Sequence, residues 1–214
     1  MITESKVTEI FCIADDFCKE FEVEMAKNSL PSSPDAPKRC RKRMMSDAEV
    51  ITILICFHFN TYRNFKHYYL SCVCGQWKHL FPRRFSYNRF VEIMPRCFVS
   101  LTMFLRLACF GECTGISFVD STCIPVVHNK REFNMKVFKG IAAKGKSTMG
   151  WYVGFKLHLL CNEKGELVNF VLTRANVDDR EESVIDTLTD KVFGKLYADK
   201  GYISQSLFGH LWDN

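Results

Sequence analysis

Val7, Ile10, Phe11, Ala14, Phe17, Cys18 and Phe21 fall three and four residues apart with Glu and Lys between them, so the chain opens on an amphipathic helix. The stretch Pro31-Ser-Ser-Pro-Asp-Ala-Pro37 follows, and its three prolines remove backbone donors and fix φ, which predicts a linker. Ser46-Asp-Ala-Glu49 has the spacing of a capping box, Ser accepting from the third helical amide while Glu reaches back, and predicts a helix through Asn60. A second helix is expected over Tyr62 to Cys72, and a third after Ser86 towards Phe110, kinked at Pro95. Tyr62, Phe65, Tyr68, Tyr69 and Trp77 are expected in the core of these helices.

The period changes at Gly115. Ile116 to Asp120 alternates, and Gly150 to Cys161 reads as a long strand with Trp151, Val153, Phe155, Leu157 and Leu159 on one face. Asn162-Glu-Lys-Gly165 supplies a turn into a strand over Leu167 to Leu172, making a hairpin. Asp178-Asp179 would cap a helix over Arg180 to Lys191, Lys195 to Asp199 is a short strand, and Ser204 would cap a last helical segment. The expected class is α/β: a helical region over residues 1–114, then a mixed sheet with helices over 115–214.

Charge changes this picture more than composition does. From Lys38 to Arg106 there are 13 Lys/Arg against 3 Asp/Glu, whereas Met1 to Pro37 has 3 against 8. Arg41, Lys42 and Arg43 lie in a basic run, and Arg63, Lys66, Lys78, Arg83, Arg84 and Arg89 would sit on the solvent sides of the helices, as in a helical DNA-binding module. Between Asn129 and Ser147, Lys130, Arg131, Lys136, Lys139, Lys144 and Lys146 stand against Glu132 alone, which predicts a DNA-gripping loop. The 11 cysteines, irregularly spaced and mostly within apolar runs, are read as reduced, buried thiols, and no pair has the partners a structural zinc would need. The apolar run from Cys97 to Phe110 is too short for a membrane span and contains Arg106.

Two acids stand out by position: Asp120 in Phe118-Val-Asp-Ser-Thr122 and Asp199 in Tyr197-Ala-Asp-Lys-Gly-Tyr202, each expected to end a strand. In open sheets functional groups gather at the carboxyl ends of strands. If these strands are parallel neighbours, the two carboxylates face one another and form the outline of a divalent-cation site. Lys156 and His158 share a strand face opposite Phe155 and Leu157; they would either point towards the site and its phosphates or form a polar outer face.

Asp120-Ser-Thr122, the basic connection, Gly154-Phe-Lys-Leu-His158 and Tyr197-Ala-Asp-Lys-Gly-Tyr202, in that order, resemble the DDE transposases of bacterial insertion sequences over Gly115 to Asn214. The resemblance implies an RNase H-like fold with Asp120 and Asp199 as the first two catalytic acids. It implies two Mg²⁺ or Mn²⁺ ions in the complete enzyme, double-stranded DNA (terminal repeats and target) as partner, homodimer action on paired ends, and a cytoplasmic, nucleoid-associated setting without membrane. The family's third acid, a glutamate on a later helix, has no counterpart in this sequence: Asp213 is misplaced for it. A C-terminally truncated, incomplete domain with impaired cleavage is therefore expected. The rival expectations are a non-catalytic DNA-binding remnant or regulator, an unrelated metal-dependent nuclease or phosphatase, and an interaction domain in which both acids are caps.

Overall fold

In the computed structural model, residues 2–28 and 44–202 are described, Lys200 as backbone alone. The chain divides into two compact units, Met1–Cys109 and Phe110–Asn214. The linker 31–37, the basic run with Arg41, Lys42 and Arg43, and the Ser204 cap fall outside the described residues.

The first unit is helical. Helix α1 (Glu4–Lys27) buries Val7, Ile10, Ala14 and Cys18, the stripe its periodicity predicts. The expected capping box starts α2 (Asp47–His58): Glu49 N–H donates to Ser46 Oγ at 3.1 Å, and Ser46 N–H to Glu49 Oε2 at 2.7 Å. The second expected helix begins later, as α3 (Phe65–Tyr68) capped by Asn64, and continues as a π-helical stretch to Gln76. The third is broken where Pro95 predicts: α4 (Tyr87–Ile93), a 3₁₀ turn over Met94–Cys97, then α5 (Phe98–Phe104). Tyr68, Tyr69 and Trp77 are buried in this core with Phe90, and the Tyr68 and Tyr69 hydroxyls donate to the Ile53 and Phe85 carbonyls. Burial without a hydroxyl partner would be costly, so these two bonds fix how the rings enter the core.

The second unit is a five-stranded mixed sheet with one described α-helix, α6 (Glu182–Thr189). Strand β1 (Ile116–Val127) pairs antiparallel with β3 (Gly150–Asn162) and parallel with β5 (Lys195–Ala198). The other edge of β3 carries β2 (Ala143–Ser147) at its start and β4 (Leu167–Arg174) along the remainder. The expected hairpin turn is present: Asn162 Oδ1 accepts from the Lys164 and Glu166 amides at 3.0 Å each, and Gly165 has φ +78°. Gly194, at φ +88°, abuts Gly115, and a Cβ there would collide with the Gly115 carbonyl. Lys195 N–H donates to that carbonyl at 2.8 Å, so the two glycines start the parallel pairing.

Several expectations need correction. β1 runs through Asp120 to Val127, because Thr122, Cys123 and Ile124 keep pairing with β3 where a strand end was expected. The expected loop 129–147 contains a 3₁₀ segment (Asn129–Asn134) and β2, whose lysines and glycine hide its strand character. Asp178 and Asp179 do not cap α6, which starts at Glu182 with no side-chain cap. Asp178 instead takes a two-point ion pair from Arg180, and those bonds hold its carboxyl down at about 2. Of ten described cysteines only Cys18, Cys56, Cys72 and Cys97 are buried, since many of the apolar runs that hold the rest lie at the surface; all ten are unpaired thiols.

The buried face of β3 is the opposite of the expected one. Tyr152, Lys156, His158, Leu160 and Asn162 are buried, while of the expected face only Val153 is buried, Phe155, Leu157 and Leu159 are half-covered and Trp151 is exposed. Helix α6 decides this, because Val184, Ile185 and Leu188 pack with Leu160, Val119 and Tyr202. Three polar members of that face, Lys156, His158 and Asn162, have internal partners. His158 Nδ1 lies 3.1 Å from the Tyr202 hydroxyl and Nε2 lies 3.0 Å from Thr173 Oγ1. Lys156 Nζ donates to the Val177 carbonyl at 2.7 Å and meets Asp179 at 2.9 Å.

Burial pushes the His158 pKa below its ordinary value, with Asp179 opposing and Lys156 adding to the shift. Between that lowered pKa and the unfolded value of about 6.5, the unfolded chain binds more protons, so stability is full above the window and falls as pH drops through it. Urea midpoints are expected to decline from pH 7 to pH 5 in the wild type and to decline less in His158→Gln; equal declines would remove His158 as the cause. Asp179→Ala leaves Lys156 without its counter-charge, and a loss of about 2–4 kcal/mol is expected by urea denaturation.

Candidate active site

The β1/β5 register aligns Ile116 with Lys195, Ser117 with Leu196, Phe118 with Tyr197 and Val119 with Ala198. One step further along each chain stand Asp120 and Asp199. In parallel strands, residues at matching steps lie on the same face, so the two carboxylates are neighbours on the face away from α6. A shallow cavity of 350 Å³ is lined by Phe118, Val119, Asp120, Tyr197, Ala198 and Asp199. Phe118 and Tyr197 stack at 5.4 Å and form an apolar shoulder beside the acids.

Both acids are exposed, but they are held differently. Asp120 lies within β1, opposite Leu159 of β3, and its Oδ1 accepts from the Ser121 amide at 2.7 Å. Asp199 follows the last residue of β5, and its carbonyl accepts from the Tyr202 amide at 2.9 Å in a tight turn. Tyr202 is buried, its phenol pushed up to about 12 by that burial, with a hydrogen bond that its oxygen accepts from the Ser121 hydroxyl acting in the opposite direction. The Tyr202 ring thus connects the turn after Asp199 to His158 and to the residue after Asp120. Tyr202, Thr173 and Asp179 escape a reading of the sequence; Tyr202 lies in the quoted Tyr197–Tyr202 motif, which is the one signal that could have found it.

The remaining candidates are dispersed. Lys130, Arg131, Lys136, Lys139, Lys144 and Lys146 are all exposed, with Lys144 paired to Glu132 at 3.0 Å. In the first unit Arg83 is exposed, and Arg84 is half-buried, donating to the Phe81 carbonyl at 3.4 Å. Lys156 and His158 form no outer polar face: both are turned inward onto Asp179, Tyr202 and Thr173.

Oxygen donors at adjacent strand positions on an open face suit a hard divalent cation such as Mg²⁺, which keeps several waters and needs few carboxylates. Among the described residues no group of three His, Cys, Asp or Glu is close enough to hold a metal ion. No described helix is long and apolar enough to cross a membrane.

No curated protein and no solved structure matches the chain. The family model of the transposase DDE domain matches residues 110–214, the span of the second compact unit. Through that half, the chain belongs to the DDE transposases, whose partner is DNA.

Proposed function

We propose that this chain is an insertion-sequence transposase that hydrolyses phosphodiesters and transfers strands at the ends of its element, with Asp120 and Asp199 as two of its metal-holding acids. The observation that carries the reading is the parallel β1/β5 register, which sets the two carboxylates side by side on an exposed face. Two adjacent negative charges repel, and a shared cation relieves that repulsion. Bound there, two divalent ions would lower the pKa of an attacking water or 3′-hydroxyl and stabilise the leaving oxygen of an in-line displacement. Asp120 fixes its end of the site through a strand paired on both sides up to Val119, and Asp199 supplies the other from the turn closed by Tyr202.

DNA is gripped in this reading by Lys130, Arg131, Lys136, Lys139, Lys144 and Lys146, with Arg41, Lys42, Arg43, Arg83 and Arg84 adding phosphate contacts from the first unit. Lys156 and His158 act from within, holding the Asp179 and Tyr202 turns. The work is placed on double-stranded terminal repeats and target DNA, by a homodimer, in the bacterial cytoplasm at the nucleoid.

A second reading, a DNA-binding protein without catalysis, is favoured by the lack of a third ligand among the described residues. A Mn²⁺ titration followed by the paramagnetic resonance of the free ion separates the two. Weak but measurable binding is expected in the wild type, reduced in Asp120→Asn and in Asp199→Asn and abolished in the double variant. Equal binding by all four proteins would overturn the metal assignment. Affinity for a duplex oligonucleotide is expected to fall at least tenfold between 50 and 200 mM salt, since a protein contacting about six or more phosphates loses on the order of 10³ over that range; a flat response would count against the lysine-rich grip.

A further inference from the structure

Trp151 opens β3 with 57% of its surface exposed, although its place in an apolar strand pattern predicts a core residue. Its direct cross-strand partner is Lys146 of β2, and Lys144 projects from the same side of that strand. Their ammonium groups stand 5.9 and 6.0 Å from the centroid of the indole ring. The ring borders a polar cleft of 470 Å³ that extends to Gly201, in the turn after Asp199. The carboxylates of that cleft are answered: Asp179 by Lys156 at 2.9 Å and Asp178 by Arg180 at 3.0 Å. With those pairs matched and Lys144 shared with Glu132 at 3.0 Å, Lys146 beside the indole leaves this end of the cleft receptive to anions.

An accessible aromatic ring flanked by cations is the chemistry that captures a nucleotide out of a helix. The ring offers a stacking plane to a base of any sequence, and the ammonium groups can leave the ring for the flanking phosphates. In a paired duplex the bases are stacked on each other and have no free face to offer. We infer that Trp151, with Lys144 and Lys146, forms a binding site for an unpaired nucleotide of DNA, at the mouth of a cleft leading to the Asp199 turn. The inference rests on the proposal that DNA is gripped by this part of the chain, and it adds that one strand end or one extruded base is held here.

The test measures fluorescence anisotropy with the full chain at low salt, using a labelled 12-nucleotide single strand and the blunt duplex of the same sequence. Trp151→Ala is expected to weaken single-strand binding at least about fivefold, the lower end of what a lost base–aromatic stack costs, and to leave duplex binding unchanged. Trp151→Phe is expected to restore most of the single-strand affinity. Lys144→Ala/Lys146→Ala is expected to weaken both probes and flatten their salt dependence. If Trp151→Ala weakens neither probe, or both alike, with unchanged thermal unfolding, the stacking site is refuted while the DNA grip stands. If the wild type binds neither probe, the grip itself fails and the site falls with it.

Discussion

Four pairs of residues between β1 and β5 set the geometry on which the second unit's chemistry depends. A parallel pairing fixes both the spacing of its strands and the matching of their steps, so residues just past the last pair are delivered to the same height on the same face. Asp120 and Asp199 are those residues. The start of the pairing is set by backbone: Gly115 and Gly194 approach so closely that a side chain on Gly194 would strike the Gly115 carbonyl. A slip of one residue at that crossing would turn one carboxylate to the α6 face, because side chains alternate along a strand.

The opposite face does different work. There α6 presses Val184, Ile185 and Leu188 onto Val119 and Leu160, and the same face of β3 also buries a histidine, a lysine and an asparagine. Burying such groups is unfavourable unless each finds a partner. His158 is met by Tyr202 and Thr173, Lys156 by Asp179 and the Val177 carbonyl, and Asn162 by Glu166 and the Glu112 carbonyl. These partners come from β4 and from turns, so the polar layer ties irregular backbone to the sheet.

What could be read in the sequence was what rests on local chemistry. The capping box at Ser46, the break at Pro95, the turn at Asn162–Gly165 and the long β3 are each signalled by residues within a few positions of one another. The acids were legible through their place in strand-like stretches and through three motifs in order. The faces were not. Alternation in β3 separates Phe155, Leu157 and Leu159 from Lys156, His158 and Leu160, but which row is buried depends on where α6 lands, a tertiary fact. The length of β1 was hidden in the same way: the strand was expected to end at Asp120, and only the register with β3 carries it onward to Val127. Strand β2 was obscured by its lysines, which suit an exposed edge.

The two acids stand on unlike footings. Asp120 belongs to a strand bonded along its whole length to β3, and local motion there would require opening a ladder that includes the fully buried His158 and Leu160. Asp199 follows a four-residue strand that, among the described residues, pairs with β1 alone, and it opens a turn closed by the Tyr202 amide. Local opening is least costly where the fewest buried contacts are lost. A change in the gap between the carboxylates therefore costs least on the Asp199 side, with Asp120 as the anvil and the Asp199 turn as the part that travels.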